Sequence, residues 1–147
     1  MRYTTKAEYG IVALLQLAQA PMGDPLSAKD IAANEGLSVE YVEKLLHRLK
    51  QAELVISKRG AGGGFSLAHK PEDINLQQVI EALDGSTYQT FCNPDVRENI
   101  VCNHSGTCGL STVWNGLKDV IDDYLSGVTL AQLLEDHQAK VAHRVND

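Results

Sequence analysis

The side chains with the most chemistry to offer are three cysteines, Cys92, Cys102 and Cys108, spaced C-x9-C-x5-C within one short stretch. An odd number of cysteines argues against a disulfide framework. Structural thiols that serve only as packing fall at periodic apolar positions, whereas these stand among Asn93, Pro94, Asn103, Ser105 and Gly106. That setting suits ligation of a soft metal, an iron–sulfur cluster first and zinc second. A cluster needs a fourth ligand. His104, two residues past Cys102, is chemically suited, against the plainer reading of a solvated loop histidine. The histidines (His47, His69, His104, His137, His143) are scattered, and no Ser/His/Asp or paired-carboxylate constellation accompanies them. The expectation is that the chain is not an enzyme.

A second constellation runs Ser57-Lys58-Arg59-Gly60-Ala61-Gly62-Gly63-Gly64. Glycines so crowded carry a high entropic cost and suit a place where backbone approaches backbone closely. With Lys58 and Arg59 beside them they fit a hairpin tip lying on phosphate or entering a minor groove, whose potential attracts Arg. A nucleotide loop is the competing idea, but no Gly-Lys-Ser/Thr ends the run.

These groups need elements to hold them. Tyr9, Val12, Ala13 and Leu17, widened by Leu14 and Leu15, make a helical stripe that Pro21, Gly23 and Pro25 terminate. Ser27 caps a second helix, with Asp30 three residues on and Ile31 and Ala32 inward, which Gly36 stops. Ser38 caps a third, over 38–51, whose Val42, Leu45, Leu46 and Leu49 form one apolar face. That leaves Ser38, Glu40, Glu43, Lys44, His47, Arg48 and Lys50 outside, and Lys44, His47, Arg48 and Lys50 can reach phosphates. Leu54-Val55-Ile56 reads as a short strand and Phe65 with Leu67 as its return, with alternating faces. A helix carrying Val79, Ile80 and Leu83 ends at Asp84-Gly85. Residues 86–109 lack periodicity. A long helix then presents Val113, Leu117, Val120, Ile121 and Tyr124, Gly127 breaks it, and Thr129 caps a last short helix through Leu133 and Leu134. The tail from Gln138 is polar and expected to fray.

Two short helices followed by a basic, glycine-tipped hairpin is the order of a winged helix-turn-helix. The predicted fold class is therefore mainly α with a small β-hairpin wing, carrying a long additional helix. The net charge of -6 runs against nucleic-acid binding until it is divided: residues 1–70 hold nine Lys/Arg against seven Asp/Glu, residues 71–147 four against twelve. A basic front and an acidic back fit contact with double-stranded DNA at one end only. With 44% hydrophobic and 22% charged residues the composition is that of an ordinary globular protein. No apolar run suits a membrane span or a signal h-region, so a cytoplasmic protein without a membrane partner is expected.

Leu37-Ser38-x-x-Tyr41-Val42-Glu43-Lys44-Leu45-Leu46, then Leu54-Val55 and Arg59-Gly60-Ala61-Gly62-Gly63-Gly64-Phe65, resembles the IscR, NsrR, RirA and CymR type of bacterial regulators. The likeness begins at Met1-Arg2-Tyr3-Thr4-Thr5-Lys6 and extends to Thr129-Leu130-x-x-Leu133-Leu134. It implies base sensing by Glu43, duplex contact by the wing Arg59 beside Lys58 and Gly60, and a homodimer clasped by the helix at about 108–126 on a palindromic operator. A single apolar face on so long a helix agrees independently.

The resemblance also implies that Cys92, Cys102 and Cys108 hold an iron–sulfur cluster, [4Fe-4S] or [2Fe-2S], with Glu8 of the partner subunit as first choice for the fourth ligand and His104 second. The competing reading of Glu8 is a first-turn Glu favourable to the helix dipole. The first cysteine interval is longer than in the relatives, and Ser111 stands where IscR-type members have a His ligand. Cys108-Gly109-Leu110-Ser111 follows the RirA pattern and Trp114 the IscR pattern.

The expected organisation is a DNA-binding domain over 1–85, a cluster-binding loop over 86–109, a dimerisation helix with a short C-terminal helix over 110–138, and a polar tail over 139–147. The expected function is a transcriptional repressor whose affinity follows the cluster as it senses iron, redox or nitric oxide. Cluster state would set the geometry of 86–109, which borders the DNA-reading half through the first helix of the other subunit. Half-sites about 34–36 Å apart make small rotations sufficient. The alternatives are a zinc-stabilised regulator and a CymR-like one that answers to a partner enzyme.

Overall fold

The chain enters helix α1 (Thr5–Gln19) through Thr4, whose side chain accepts from the Lys6 amide and so satisfies one of the unpaired donors of the first turn. A computed structural model describes residues 4–21, 23–97 and 99–145. Met1, Arg2 and Tyr3 of the opening motif lie outside the described residues.

The buried face of α1 is Ala7, Gly10, Ala13, Leu14 and Leu17, while Tyr9 and Val12 are only half-buried. Of the expected stripe, Ala13, Leu14 and Leu17 are buried and Tyr9 and Leu15 pack on the core, and the buried face extends further to Ala7 and Gly10. Small residues widen that face: a Cβ built on Gly10 would lie 2.2 Å from Leu83 Cδ1, so a helix packed against α1 approaches it there more closely than any larger residue allows. A stripe drawn from large apolar residues cannot register that contact.

Helix α2 (Ala28–Glu35) starts at Ser27, which accepts from the Asp30 amide, and stops at Gly36 in the left-handed region. Helix α3 (Val39–Gln51) starts at Ser38, which accepts from the Tyr41 amide, and buries Val42, Leu45, Leu46 and Leu49 as the periodicity predicts. Tyr41 meets Tyr9 edge to face at 6.2 Å between centroids, joining α1 to α3.

Strands β1 (Val55–Lys58) and β2 (Gly64–Leu67) pair antiparallel, Val55 opposite Leu67 and Lys58 opposite Gly64. The strand therefore begins one residue after Leu54 and absorbs Ser57 and Lys58, which the composition had assigned to the turn. Leu54 instead donates to the Leu49 carbonyl at 3.0 Å, closing the end of α3. Phe65 and Leu67 pack on the core, as the alternation of faces predicts, although all four residues of β2 are half-buried. Leu26 and Phe65 exchange backbone hydrogen bonds at 2.9 and 2.8 Å, so the segment before α2 borders β2 on its other edge.

After a 3-10 turn at Pro71–Asp73, helix α4 (Leu76–Asp84) opens with a full capping box between Asn75 and Gln78 and ends at Gly85. The main core gathers Leu14, Ile31, Leu46, Leu49, Ile74, Val79, Leu83 and Leu130. One short helical turn, α5 (Pro94–Arg97), interrupts the segment over 86–109 that lacks periodicity, and its last residue, Gly109, already opens the next helix. Helix α6 (Gly109–Gly127) buries only Leu125, which with Ile121 packs on Ala7, Leu76 and Ile80 in a second, smaller cluster. Ile121 thus turns inward, away from the exposed face to which the sequence assigned it.

Helix α7 (Leu130–Val145) is 16 residues long, not the short element followed by a fraying tail that polarity suggested. Neither Gly nor Pro interrupts it, and Ala, Leu, Gln, Glu and Lys carry high helix propensity whether or not they are buried. Its anchor is the first turn: Leu130 is buried and donates to the Ile74 carbonyl at 2.8 Å, and the helix packs on α1 and the 3-10 turn. Among the described residues no helix is long and apolar enough to cross a membrane.

Candidate nucleic-acid interface and cysteine segment

Burial of the apolar stripe of α3 leaves Ser38, Glu40, Glu43, Lys44, His47, Arg48 and Lys50 exposed together. A concavity of about 780 Å³ follows this face, bordered by Glu40, Glu43, Lys44, His47 and Arg48 and also by Lys6 from α1. Lys6 is a cation beside the candidate reader that the helix-by-helix reading did not name. Its presence there depends on how α1 packs, although the opening motif contains it.

Several of the polar groups already have protein partners. The Ser38 hydroxyl oxygen is taken up as the cap. Lys50 Nζ donates to Ser57 Oγ at 2.5 Å, tying the end of α3 to the hairpin. Arg48 Nη1 donates to the Leu83 carbonyl at 2.8 Å, tying α3 to α4. Glu40, Glu43 and Lys44, in the first half of the helix, have no such tether among the described hydrogen bonds. The N-terminal half of a recognition helix is the part that reaches base edges.

Lys58, Arg59 and Gly60 are exposed at the hairpin tip. The close approaches that the glycines make are internal. A Cβ on Gly63 would lie 2.3 Å from the Lys58 carbonyl oxygen, and one on Gly64, at φ +152, 2.4 Å from that of Leu26. Two of the four glycines therefore serve the hairpin's own closure and its seat against Leu26. Gly60, at φ +96 with nothing within 4 Å of its Cβ position, leaves open space at the tip.

The three cysteines are free thiols, each partly exposed. Their segment is held by local backbone bonds, Val96 to Asn93, Ile100 to Arg97, Ser105 to Cys102 and Thr107 to His104. Cys92 borders a cleft of about 290 Å³ with Tyr88, Thr90, Trp114 and Lys118, and that lining includes neither Cys102 nor Cys108. Cys108 is the N-cap of α6 without a side-chain capping bond. Ser111 donates its hydroxyl to the Cys108 carbonyl at 2.6 Å, a local bond rather than a ligand-like posture. Glu8 and His104 are exposed. Among the described residues no three Cys, His, Asp or Glu groups converge on a point where one metal ion could bind. By donor chemistry the three uncrosslinked thiols fit an iron–sulfur cluster.

The exposed residues Leu110, Val113, Leu117, Val120 and Tyr124 follow each other at intervals of three and four, with Val120 65% and Tyr124 71% exposed. That is the spacing of a seam for another helix. On the opposite side Asp122 receives bonds from Thr87 and Lys118, and Thr87 is itself only 3% exposed. Burial alone would raise the Asp122 pKa; the hydrogen bonds from Lys118 and Thr87 and the Lys118 charge outweigh it, holding the carboxyl below its usual 3.8.

Residues 3–136 match the family described as Rrf2, iron-dependent transcriptional regulator. The chain is 35% identical to the transcriptional regulator IscR of Aliivibrio salmonicida over 99% of its length and 85% of the relative's. It is 38% identical to the protein rrf2 of Nitratidesulfovibrio vulgaris over 92% of its length and 89% of the relative's. Among solved structures, T. potens IscR superposes with a TM-score of 0.71 at 36% identity, covering 93% of this chain and 88% of that one. CymR, the global cysteine regulator of B. subtilis, superposes at 0.74 with 29% identity, covering 92% and 97%. The chain belongs to the Rrf2 family of winged-helix, DNA-binding transcriptional regulators.

Proposed function

We propose that the protein is a homodimeric repressor that reads a palindromic operator with α3 and the β1–β2 hairpin, its affinity set by an iron–sulfur cluster on Cys92, Cys102 and Cys108. The observation that carries the DNA-reading part is the division of α3: one side is in the core, and the other presents Glu40, Glu43 and Lys44 untethered and exposed, as Lys58 and Arg59 are at the hairpin tip. Glu43 selects bases, Arg59 and Lys58 engage the duplex flank at the Gly60 tip, and Lys44 and His47 meet phosphates. The apolar seam of α6 supports the dimer.

The cluster reading rests on three soft, unbridged, partly exposed donors in one locally bonded segment. Glu8 of the partner subunit completes the ligand set, with His104 as the substitute. When bound, the cluster supplies an iron centre responsive to iron supply, oxidation or nitric oxide. The chain's own contribution is to hold Cys108 at the start of α6 and Cys92 against its side, by Trp114 and Lys118.

The CymR-like reading, a regulator without a cluster, is favoured by one observation: the thiols do not converge within the chain. One experiment separates the two. Protein reconstituted anaerobically with iron and sulfide is assayed for iron content, visible absorbance and shift of an operator duplex, beside the apo form and Cys102→Ala. The cluster reading expects bound iron and an operator affinity that differs between holo and apo protein, with Cys102→Ala fixed at the apo value. Colourless, iron-free protein refutes it while leaving DNA binding intact.

A further inference from the structure

Residues Leu83 to Thr87, where α4 gives way to the cysteine segment, touch three other helices within five positions. The Leu83 carbonyl accepts from Arg48 of α3 at 2.8 Å, and its side chain is fully buried against Gly10 of α1. The Asp84 carboxylate accepts from the Thr4 amide at 3.2 Å and from the Thr4 hydroxyl, with Lys6 Nζ at 3.9 Å. Thr87 donates to Asp122 of α6, which also holds Lys118.

We propose that Arg48 is a positioning residue which, through the Leu83–Thr87 junction, couples the placement of α6 to that of α3, and not a contact to the DNA backbone. The inference rests on α3 being the recognition helix. The last carbonyls of a helix have no intrahelical donor and carry the negative end of its dipole, so a guanidinium is matched to them. Arg48 stands in the second half of α3, where it fastens that half to the end of α4 and leaves the first half to meet the duplex. Thr87 then binds the same junction to α6. A shift of α6 pulls on Thr87 and, through it, on the end of α4 from which Arg48 hangs.

The test uses a duplex selected from a random library by the wild-type protein, a scrambled duplex of the same composition, and a range of salt concentrations. Arg48→Met is expected to lower the operator-to-scrambled affinity ratio about tenfold, the effect of losing one charge-assisted bond. Its scrambled-duplex affinity and salt dependence stay at the wild-type values. Lys44→Met, by contrast, weakens both duplexes alike and flattens the log–log salt slope by about one. Thr87→Val is expected to lower the ratio as well, and the double variant no further than Arg48→Met alone, because both cut one path.

If Arg48→Met behaves as Lys44→Met, or leaves the ratio unchanged, the positioning role is overturned. If Thr87→Val leaves the ratio unchanged, the coupling to α6 is overturned. Should Arg48→Met not fold, Arg48→Gln decides: it stays polar but is too short and uncharged to replace the guanidinium bond to the Leu83 carbonyl. A lowered ratio with the wild-type salt slope supports positioning, and full wild-type behaviour refutes it. Glu43→Ala and Lys44→Met that both leave operator binding untouched would instead refute the recognition-helix reading on which this one stands.

Discussion

Replacing Gly10 by Ala probes the close crossing of α1 and α4. The added Cβ falls 2.2 Å from Leu83 Cδ1 and 3.4 Å from Leu83 Cγ, so the whole conflict is with one side chain. Leu83 is fully buried in the main core and has no solvent into which to swing. Overpacking of this kind costs about 1–3 kcal/mol. Against it stands the gain of about 1 kcal/mol from Ala over Gly inside a helix. The net expectation is a loss of about 1 kcal/mol, or about 2–4 °C in melting temperature for a chain of this size.

A double-mutant cycle isolates the contact. Leu83→Ala alone loses about 2–5 kcal/mol through its cavity. In that background Gly10→Ala has nothing to strike and is expected to stabilise by about 1 kcal/mol, giving a coupling of about 2 kcal/mol. Thermal and urea unfolding followed by circular dichroism measure all four proteins. A stabilising Gly10→Ala in the wild-type background, or additivity across the cycle, refutes the close crossing of α1 and α4.

Three further outcomes follow from the same geometry. Leu117→Asp, in the exposed seam of α6, is expected to convert a dimer to monomers in analytical ultracentrifugation while leaving the helical circular dichroism signal near wild type. Gly64→Ala strikes the Leu26 carbonyl from a φ of +152, so the hairpin must leave its seat; operator affinity measured by mobility shift is expected to fall at least about tenfold, one charge-assisted contact's worth. Asp122 has its pKa depressed in the fold, so its contribution to stability is complete above the usual 3.8 and is lost as pH falls below that value through the lower folded pKa. Asp122→Asn is expected to unfold more readily than wild type at neutral pH and to narrow that gap under strong acid, as read in urea titrations.

Legibility in the sequence followed the range of the interactions. Ser38 with Val42, Leu45, Leu46 and Leu49 is a local pattern, and α3 formed where it predicted. The same is true of the α6 seam, apart from Ile121. What escaped is long-range. Arg48 and Leu83 are 35 residues apart, Thr87 and Asp122 likewise, and Thr4 and Asp84 80 apart. No local periodicity encodes such pairs. The glycine run was read as a surface for DNA, yet the internal carbonyls of Lys58 and Leu26 account for Gly63 and Gly64. The cysteines are a different case. Their type and crowding point to a soft metal, but among the described residues they do not meet in one ligand set.

The mounting of α6 has a mechanical consequence. The helix is pinned near its far end, by Ile121, Asp122 and Leu125, and Cys108 stands at the opposite tip. The intervening arm of a dozen residues is about 18 Å long. A displacement of about 3 Å at the cysteine end then becomes a rotation of about 10° at the pivot. A stroke at Cys108 is thereby geared down to a small turn beside Thr87.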